Sequence, residues 1–473
     1  VNLVTSFYAA VIAAWLVLPL EAAADDSPKI TRHRSAKALA ASAVTHDWPS
    51  FLGAGRQPII GETHLAKDLG DNGPPLLWEM ETGSGYASPA VADGRLVFLH
   101  RVDNREVVDC VGAETGEHLW RFSYPSAYRD RYGFSNGPRS SPVISDGRVF
   151  THGAEGMLHC LSLETGKVIW SINTSKRFNV GQDFFGIGST PLIDGDLLIV
   201  QVGAVAGPAV VAFEKATGDI KWQSGKDWAA GYASPIPATI GDRRWVFAFL
   251  GGDTQPPVGG LMVIDPAGGA IASRFDFRSR TYESVSASSP VVADCQVFLS
   301  SSYDTGGVCL RVDGDGSVTE KWRTNDLGAH FTTPVVLDGK MFGVTGASQR
   351  DCAIVCIDWA SGKTLWKHTP EWTETRTRQD GEKQDVTYTV GLGSLLAADG
   401  ALLLQGEFGH LAWLEASESG YRELSRTRLF NANETWCMPV IRHGLLYICQ
   451  NRPDLHTKTA PRLLCYDLRA LQP

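Results

Sequence analysis

The stretch 158-LHCLSLETGKVIW-170 decides the architecture of this chain. An apolar run ends in Thr165-Gly166-Lys167, restarts as alternating residues and stops at Trp170. Nearly the same phrase returns as VDCVGAETGEHLW (108–120), VVAFEKATGDIKW (210–222) and IVCIDWASGKTLW (354–366). Looser copies are LMVIDPAGGAIASRF (261–275) and VCLRVDGDGSVTEKW (308–322). A second phrase precedes it: Ser or Thr, then Pro, an apolar run, Asp-Gly and another apolar run. It is plain in ASPAVADGRLVFL (87–99), SSPVISDGRVFTH (140–152), STPLIDGDLLIVQ (189–201) and TTPVVLDGKMFGV (332–344), and varied at 233–249, 288–300, 393–405 and 437–449. Eight copies at intervals of 44 to 61 residues mark a repeat protein.

Each phrase reads as a hairpin. Asp-Gly between two alternating apolar runs suits a turn whose central positions take positive φ, and the Thr-Gly turn makes a second hairpin. Two hairpins per copy give a four-stranded antiparallel sheet with two apolar faces, which must stack radially against its neighbours. The fold expected is therefore all-β, an eight-bladed β-propeller. The tryptophans that close the phrase, Trp120, Trp170, Trp222, Trp322 and Trp366, are expected to cover the edge of the next blade as structural docking residues. The eighth copy ends in RLLCYDLRALQP without a tryptophan, while PPLLWEMET (74–82) has no hairpin before it. The N-terminal segment is thus expected to supply the missing outer strand and remove an open edge.

Bulk properties agree with that class. The 473 residues are 43% hydrophobic and include 49 Gly and 14 Trp, a composition suited to many short strands and tight turns. A formal charge of −9 without Lys/Arg clusters argues against a nucleic-acid partner. Phe7 to Leu20 is an apolar run of 14 residues, short of the roughly 20 that span a bilayer, and Ala22-Ala23-Ala24 follows it. This reads as a signal peptide over 1–24, a linker over 25–47 and a propeller over 48–473. The expected product is a soluble monomer, secreted to the periplasm or extracellular, without a transmembrane segment.

Nine cysteines in an exported chain invite a disulfide reading, but the repeat register points elsewhere for several. Cys110, Cys160 and Cys356 share a position held by Ala212 in another copy, which marks a small core site. Cys437 and Cys449 flank one hairpin. With His443-Gly444 as the turn, Cys437 faces Gln450 and Cys449 faces Met438, so the sulfurs are expected on opposite faces and unbonded.

The phrases ETGKVIW, ETGEHLW and ASGKTLW resemble the tryptophan-docking repeat of the pyrroloquinoline quinone (PQQ)-like eight-bladed propellers. DWPSFLGAGRQP (47–58) resembles the Trp-Pro-x-Phe-x-Gly lead-in of many exported members, so the resemblance covers residues 47 to 473. It implies one of two roles. Quinoprotein dehydrogenases hold PQQ and calcium on the propeller axis, whereas other members are non-catalytic scaffolds such as the propeller of the outer-membrane assembly machinery. The dehydrogenase role implies a vicinal Cys-Cys pair, a calcium set of Glu, Asn and Asp, and an aspartate base. No two cysteines are adjacent here, no such set maps by motif, and DGDGS (313–317) lacks the Glu that completes a calcium loop. The expected role is a module binding a protein, a small molecule or a sugar, with no catalytic, cofactor or metal residue assigned. A PQQ- and calcium-dependent dehydrogenase acting on an alcohol or sugar is the alternative.

Loops that join the outer strand of one blade to the inner strand of the next gather on one face around the axis, where polar groups can converge. They carry the ligand-binding candidates Arg139, Asp183, Tyr232, Glu283, His330 and Trp436. Arg139 would clamp an anion or pair with Glu283, His330 could titrate, and Trp436 could stack a planar or sugar ring. The same residues could instead fill the narrow channel, and the sequence leaves both readings open. The charged insertion 368–390 is expected as a mobile surface loop or lid.

Overall fold

The computed structural model of the protein describes residues 27–204, 206–377 and 381–470; the expected signal peptide lies outside them. Eight sheets, antiparallel except for the parallel pairing of Ile59–Ile60 with Ala397–Ala398, form the blades of a propeller, four-stranded except where N-terminal strands join two of them. Blade 1 runs outward from the axis through Ala90–Ala92, Arg95–Val102, Arg105–Gly112 and His118–Pro125. The innermost strands of blades 2 to 8 begin at Val143, Leu192, Ile236, Val291, Val335, Ser394 and Val440. From blade 1 to blade 7, each touches the next in chain order.

Ring closure follows the sequence reading. Blade 8 takes Val440–Arg442, Leu445–Gln450 and Arg462–Asp467 from the C-terminal end, and its fourth strand, Leu76–Glu81, from the N-terminal end. Ile30–Arg32, within the segment read as linker, adds a fifth strand by pairing with Trp78–Met80.

Strand register explains why the repeat needs a small residue and a tryptophan at fixed spacing. Cys110, Cys160, Ala212, Cys309 and Cys356 lie directly opposite Trp120, Trp170, Trp222, Trp322 and Trp366, and a bulge follows each of these small residues. A small side chain beneath the indole lets the ring lie over the neighbouring blade. There the indole N–H of Trp120 donates to Leu163 O at 2.8 Å, Trp170 to Lys215 O at 3.1 Å, Trp222 to Pro266 O at 2.8 Å and Trp366 to Ser417 O at 2.9 Å. The buried Trp322 Nε1 has no such partner. The glycine of the Thr-Gly turn is the seat for the ring. At Gly166 φ is +69°, and a Cβ would fall 2.5 Å from Trp120 Cε3. Glycine therefore serves both the turn and the docking.

The Ser/Thr before each inner-strand proline also has a structural task. Thr190 Oγ1 accepts the Ser141 N–H at 3.0 Å, Ser141 Oγ that of Ser88 at 3.0 Å, and Ser234 Oγ that of Thr190 at 3.1 Å. Ser289 and Thr333 continue the belt at 3.0 and 3.3 Å. Each hydroxyl thus satisfies a buried N–H of the preceding blade, next to a proline that can donate nothing.

The lead-in 48–60 closes the opposite end of the axis. Trp48 N–H donates to Val91 O at 2.8 Å, and Pro49 O accepts from Ile144 N at 2.8 Å. Gln57 Nε2 then reaches Val292 O at 2.6 Å, and Pro58 O accepts from Ala397 N at 2.8 Å. Blades 1 and 5 face each other across an eight-membered ring, so this strap crosses the axis. The insertion expected as a mobile surface loop or lid folds as a ribbon of Glu371–Thr377 with Lys383–Thr389. Its alternation sets Trp372 opposite Tyr388, both buried, with each ring centred 4.9 Å from the His410 ring.

Candidate functional site

One position of the repeat builds the site. The residue three before the inner-strand proline, or its equivalent, is Tyr86, Arg139, Gly188, Tyr232, Ala287, Phe331, Leu392 and Trp436 in blades 1 to 8. All eight line a cavity of about 670 Å³ at the loop end of the axis. Phe134, Phe185 and Tyr303 extend the aromatic wall, and Phe51 of the strap forms the floor. Glu407, with Ser348 and Gln349, comes from loops between second and third strands. The volume suits a drug- or sugar-sized ligand.

The rings hold one another. Trp436 lies 5.1 Å from Tyr86, 5.4 Å from Phe331 and 5.9 Å from Phe134, centroid to centroid, in tilted arrangements favourable to aromatic pairs. Tyr86 OH donates to Glu434, which Arg452 grips through Nε at 2.6 Å and Nη2 at 3.1 Å. Tyr232 OH accepts the Phe185 N–H at 2.9 Å, and the ring centroids lie 5.7 Å apart.

Arg139, Glu434 and Glu407 beside the cavity are engaged within the protein, while the exposed Arg350 also lines it. Arg139 Nη2 donates to Asp130 Oδ2 at 2.5 Å and Nη1 to Phe185 O at 3.2 Å, with the guanidinium 5.1 Å from the Phe185 ring centre. The expected pairing of Arg139 with Glu283 is therefore corrected. Asp130 lies in the same loop with its side chain buried, whereas Glu283 is exposed and accepts from Tyr132 OH at 3.3 Å. His330 sits between Tyr303 and Phe331, with Nδ1 2.7 Å from Ser302 Oγ, and burial pushes its imidazole down to about 4. It is neutral at pH 7. Glu407 is fully buried; it accepts from Leu392 N at 2.9 Å and Gln349 Nε2 at 2.6 Å, and burial raises its pKa.

Of the sequence candidates, Arg139, Tyr232, His330 and Trp436 meet in this cavity. Asp183 and Glu283 are not among its lining residues. Asp183 accepts the N–H groups of Phe184 and Asp253, both at 2.7 Å, and so ties two loops together; burial raises its carboxyl to about 6. Sequence reasoning missed Tyr86, Phe331, Phe51, Glu407 and Gln349. The first two share the register of Arg139 and Trp436, which is the signal that finds them.

The repeat also fixes the kinship. The family model described as outer membrane protein assembly factor BamB matches residues 104–368, more than half of the chain. The chain belongs to this PQQ-like propeller family. The quinone alcohol dehydrogenase, dehydrogenase subunit, of Komagataeibacter europaeus is 26% identical over 158 residues, 31% of this chain and 21% of that protein. The match thus spans about a fifth of that relative's length. A europium-containing methanol dehydrogenase superposes with a TM-score of 0.62 at 11% identity, covering 89% of this chain and 98% of that one. BamB from Moraxella catarrhalis superposes at 0.53 and 14% identity, covering 84% and 99%. At such identities the likeness is one of fold. No helix among the described residues is long and apolar enough to cross a membrane.

The residues present do not fit the calcium-bound quinone of the dehydrogenase branch. Among the described residues, no three His, Cys, Asp or Glu side chains converge as metal ligands. The carboxyls nearest the cavity are already engaged: Asp130 by Arg139, Glu434 by Arg452 and Tyr86, and Glu407 by Gln349 and a backbone N–H. A divalent cation needs several free carboxylate or carbonyl oxygens at one point.

Proposed function

We propose that this propeller is a binding module whose axial cavity takes a neutral, ring-bearing ligand of the carbohydrate class and does not transform it. One observation carries the reading: eight residues in a single repeat register wall the cavity, four of them aromatic, and Arg139 and Glu434 beside it are each held in an ion pair. Tyr86, Tyr232, Phe331 and Trp436 offer apolar ring faces to the C–H face of a sugar. Thr190, Ser234 and Gln349 offer neutral hydrogen-bond groups to its hydroxyls. The neutral imidazole of His330 adds one more such group without adding charge. The apolar run and small residues at the start of the chain support a location outside the cytoplasm, where glycans are met.

The test is a titration of the purified chain with an oligosaccharide panel, followed by tryptophan fluorescence and calorimetry, beside PQQ with and without calcium. Saccharide binding that Trp436→Ala weakens roughly fivefold or more is expected, from lost stacking of about 1 kcal/mol or more. Tight calcium-dependent PQQ binding with dye-linked alcohol oxidation would refute the reading. A protein partner is the second reading, favoured by Val168 and Ile169, which are 45% and 48% exposed on the outer strand of blade 2.

A further inference from the structure

Behind the Tyr86–Trp436 wall, at the seam between blades 8 and 1, lie the thiols of Cys437 and Cys449. The hairpin register is the expected one: Val440 pairs with Tyr447 and Arg442 with Leu445. The expected separation of the sulfurs onto opposite faces nevertheless does not occur. The strand begins only at Val440, so Cys437 and the following Met438-Pro439 lie outside the ladder and escape its alternation. Both sulfurs turn to one carbonyl: Cys437 Sγ is 3.2 Å from Ala87 O and Cys449 Sγ is 4.0 Å from it. They are also within hydrogen-bonding reach of each other, which together with burial raises the Cys449 thiol pKa. Both residues are almost fully buried, and Asn451 Nδ2 donates to Cys437 Sγ at 3.0 Å and to Gly85 O at 2.9 Å.

From this shared contact we infer that Cys437 and Cys449 are a disulfide-forming pair, oxidised by an organic disulfide as the chain folds or as the seam opens. The attacking group is the thiolate of Cys437, whose sulfur the Asn451 amide holds in place. That thiolate opens the oxidant's S–S bond, forming a mixed disulfide and releasing one thiolate, which takes up a proton. Cys449, deprotonated in turn, displaces the second thiolate and closes the Cys437–Cys449 bond. The protein loses two electrons and two protons, and the oxidant gains them as two thiols. The new bond ties the Trp436 loop to the second strand of blade 8, directly behind the cavity wall.

The test uses the full chain, unfolded and refolded in a buffer of reduced and oxidised glutathione. It is then acid-quenched, denatured, alkylated and mapped by mass spectrometry. The chain has nine free cysteines in its reduced form, so, beside the glutathione adduct on Cys295, two fewer alkylated thiols and a Cys437–Cys449 cross-linked peptide are expected. Cys449→Ser should retain Cys437 as an alkylated thiol or a glutathione adduct. The exposed Cys295 serves as the internal control, since its glutathione adduct shows that the oxidant was active. Glutathione on Cys295 with Cys437 and Cys449 both still alkylated would overturn the inference, and so would a cross-link to any other cysteine. This outcome is independent of whether the cavity binds a sugar.

Discussion

Replacing Gly166 by Ala tests the docking of one blade on the next. Two costs are legible in the structure. At φ +69° an L-residue pays roughly 1–2 kcal/mol for the left-handed backbone. The new Cβ would also stand 2.5 Å from Trp120 Cε3 and 2.7 Å from Cδ2, so the indole must move, at a cost of roughly 1–3 kcal/mol for overpacking. The sum is roughly 2–5 kcal/mol. Gly94→Ala is the matched control: its φ is +72°, but no atom lies within 4 Å of the added Cβ. It should lose only the backbone cost, about 1–2 kcal/mol. Calorimetry and urea midpoints of the two variants would be compared, with Gly166→Ala repeated in a Trp120→Ala background. There the clash has no partner, and the substitution should cost no more than at Gly94. Equal losses at Gly94 and Gly166, or an undiminished loss without the indole, would refute the docking argument.

Other expectations follow from the buried polar groups and the cavity wall. His152 is fully buried and burial pushes it down to about 3, so below pH 6.5 the unfolded chain takes up a proton that the folded one refuses. Stability is complete above pH 6.5 and is lost as pH falls toward the folded value, so urea midpoints should drop more steeply in the parent than in His152→Gln. Asp109 is fully buried between His100 at 2.8 Å and the Arg121 guanidinium at 2.8 and 2.9 Å. Asp109→Asn removes the buried carboxylate that His100 and Arg121 share and should cost about 3–5 kcal/mol in thermal or chemical unfolding. Ala287→Trp fills the cavity at one of the two smallest of the eight register positions, so saccharide affinity should vanish while far-ultraviolet dichroism is unchanged; retained affinity would place the ligand elsewhere.

The blades were legible because each is written eight times. Turn chemistry, alternation and the spacing from Cys or Ala to Trp all repeat, so an error in one copy is corrected by the others. Even the seam was readable, since a copy without a tryptophan and a tryptophan without a copy complete each other. The site was legible only where it kept that register. Arg139, Tyr232 and Trp436 hold the position that walls the cavity, and His330 is one residue away from it, whereas Asp183 and Glu283 were chosen for loop polarity alone. What occurs once had no second copy to check it. The strap with Phe51, the ribbon with its Trp372–Tyr388 pair, and the irregular start of blade 8 that turns Cys437 toward Cys449 all belong to this class. Glu407 and Gln349 were hidden for another reason: they meet through loops between second and third strands, where the repeat sets no fixed length.

The strap across the base has a consequence for what can be recognised. With residues 48–60 laid beneath the axis and Phe51 turned upward, the hub is a cup and not a tunnel. Whatever enters must leave by the same mouth. A polymer could not thread through it, and only a chain terminus could reach the floor. For a glycan this means end-on recognition, with the last one or two units inside and the remainder standing out from the loop face.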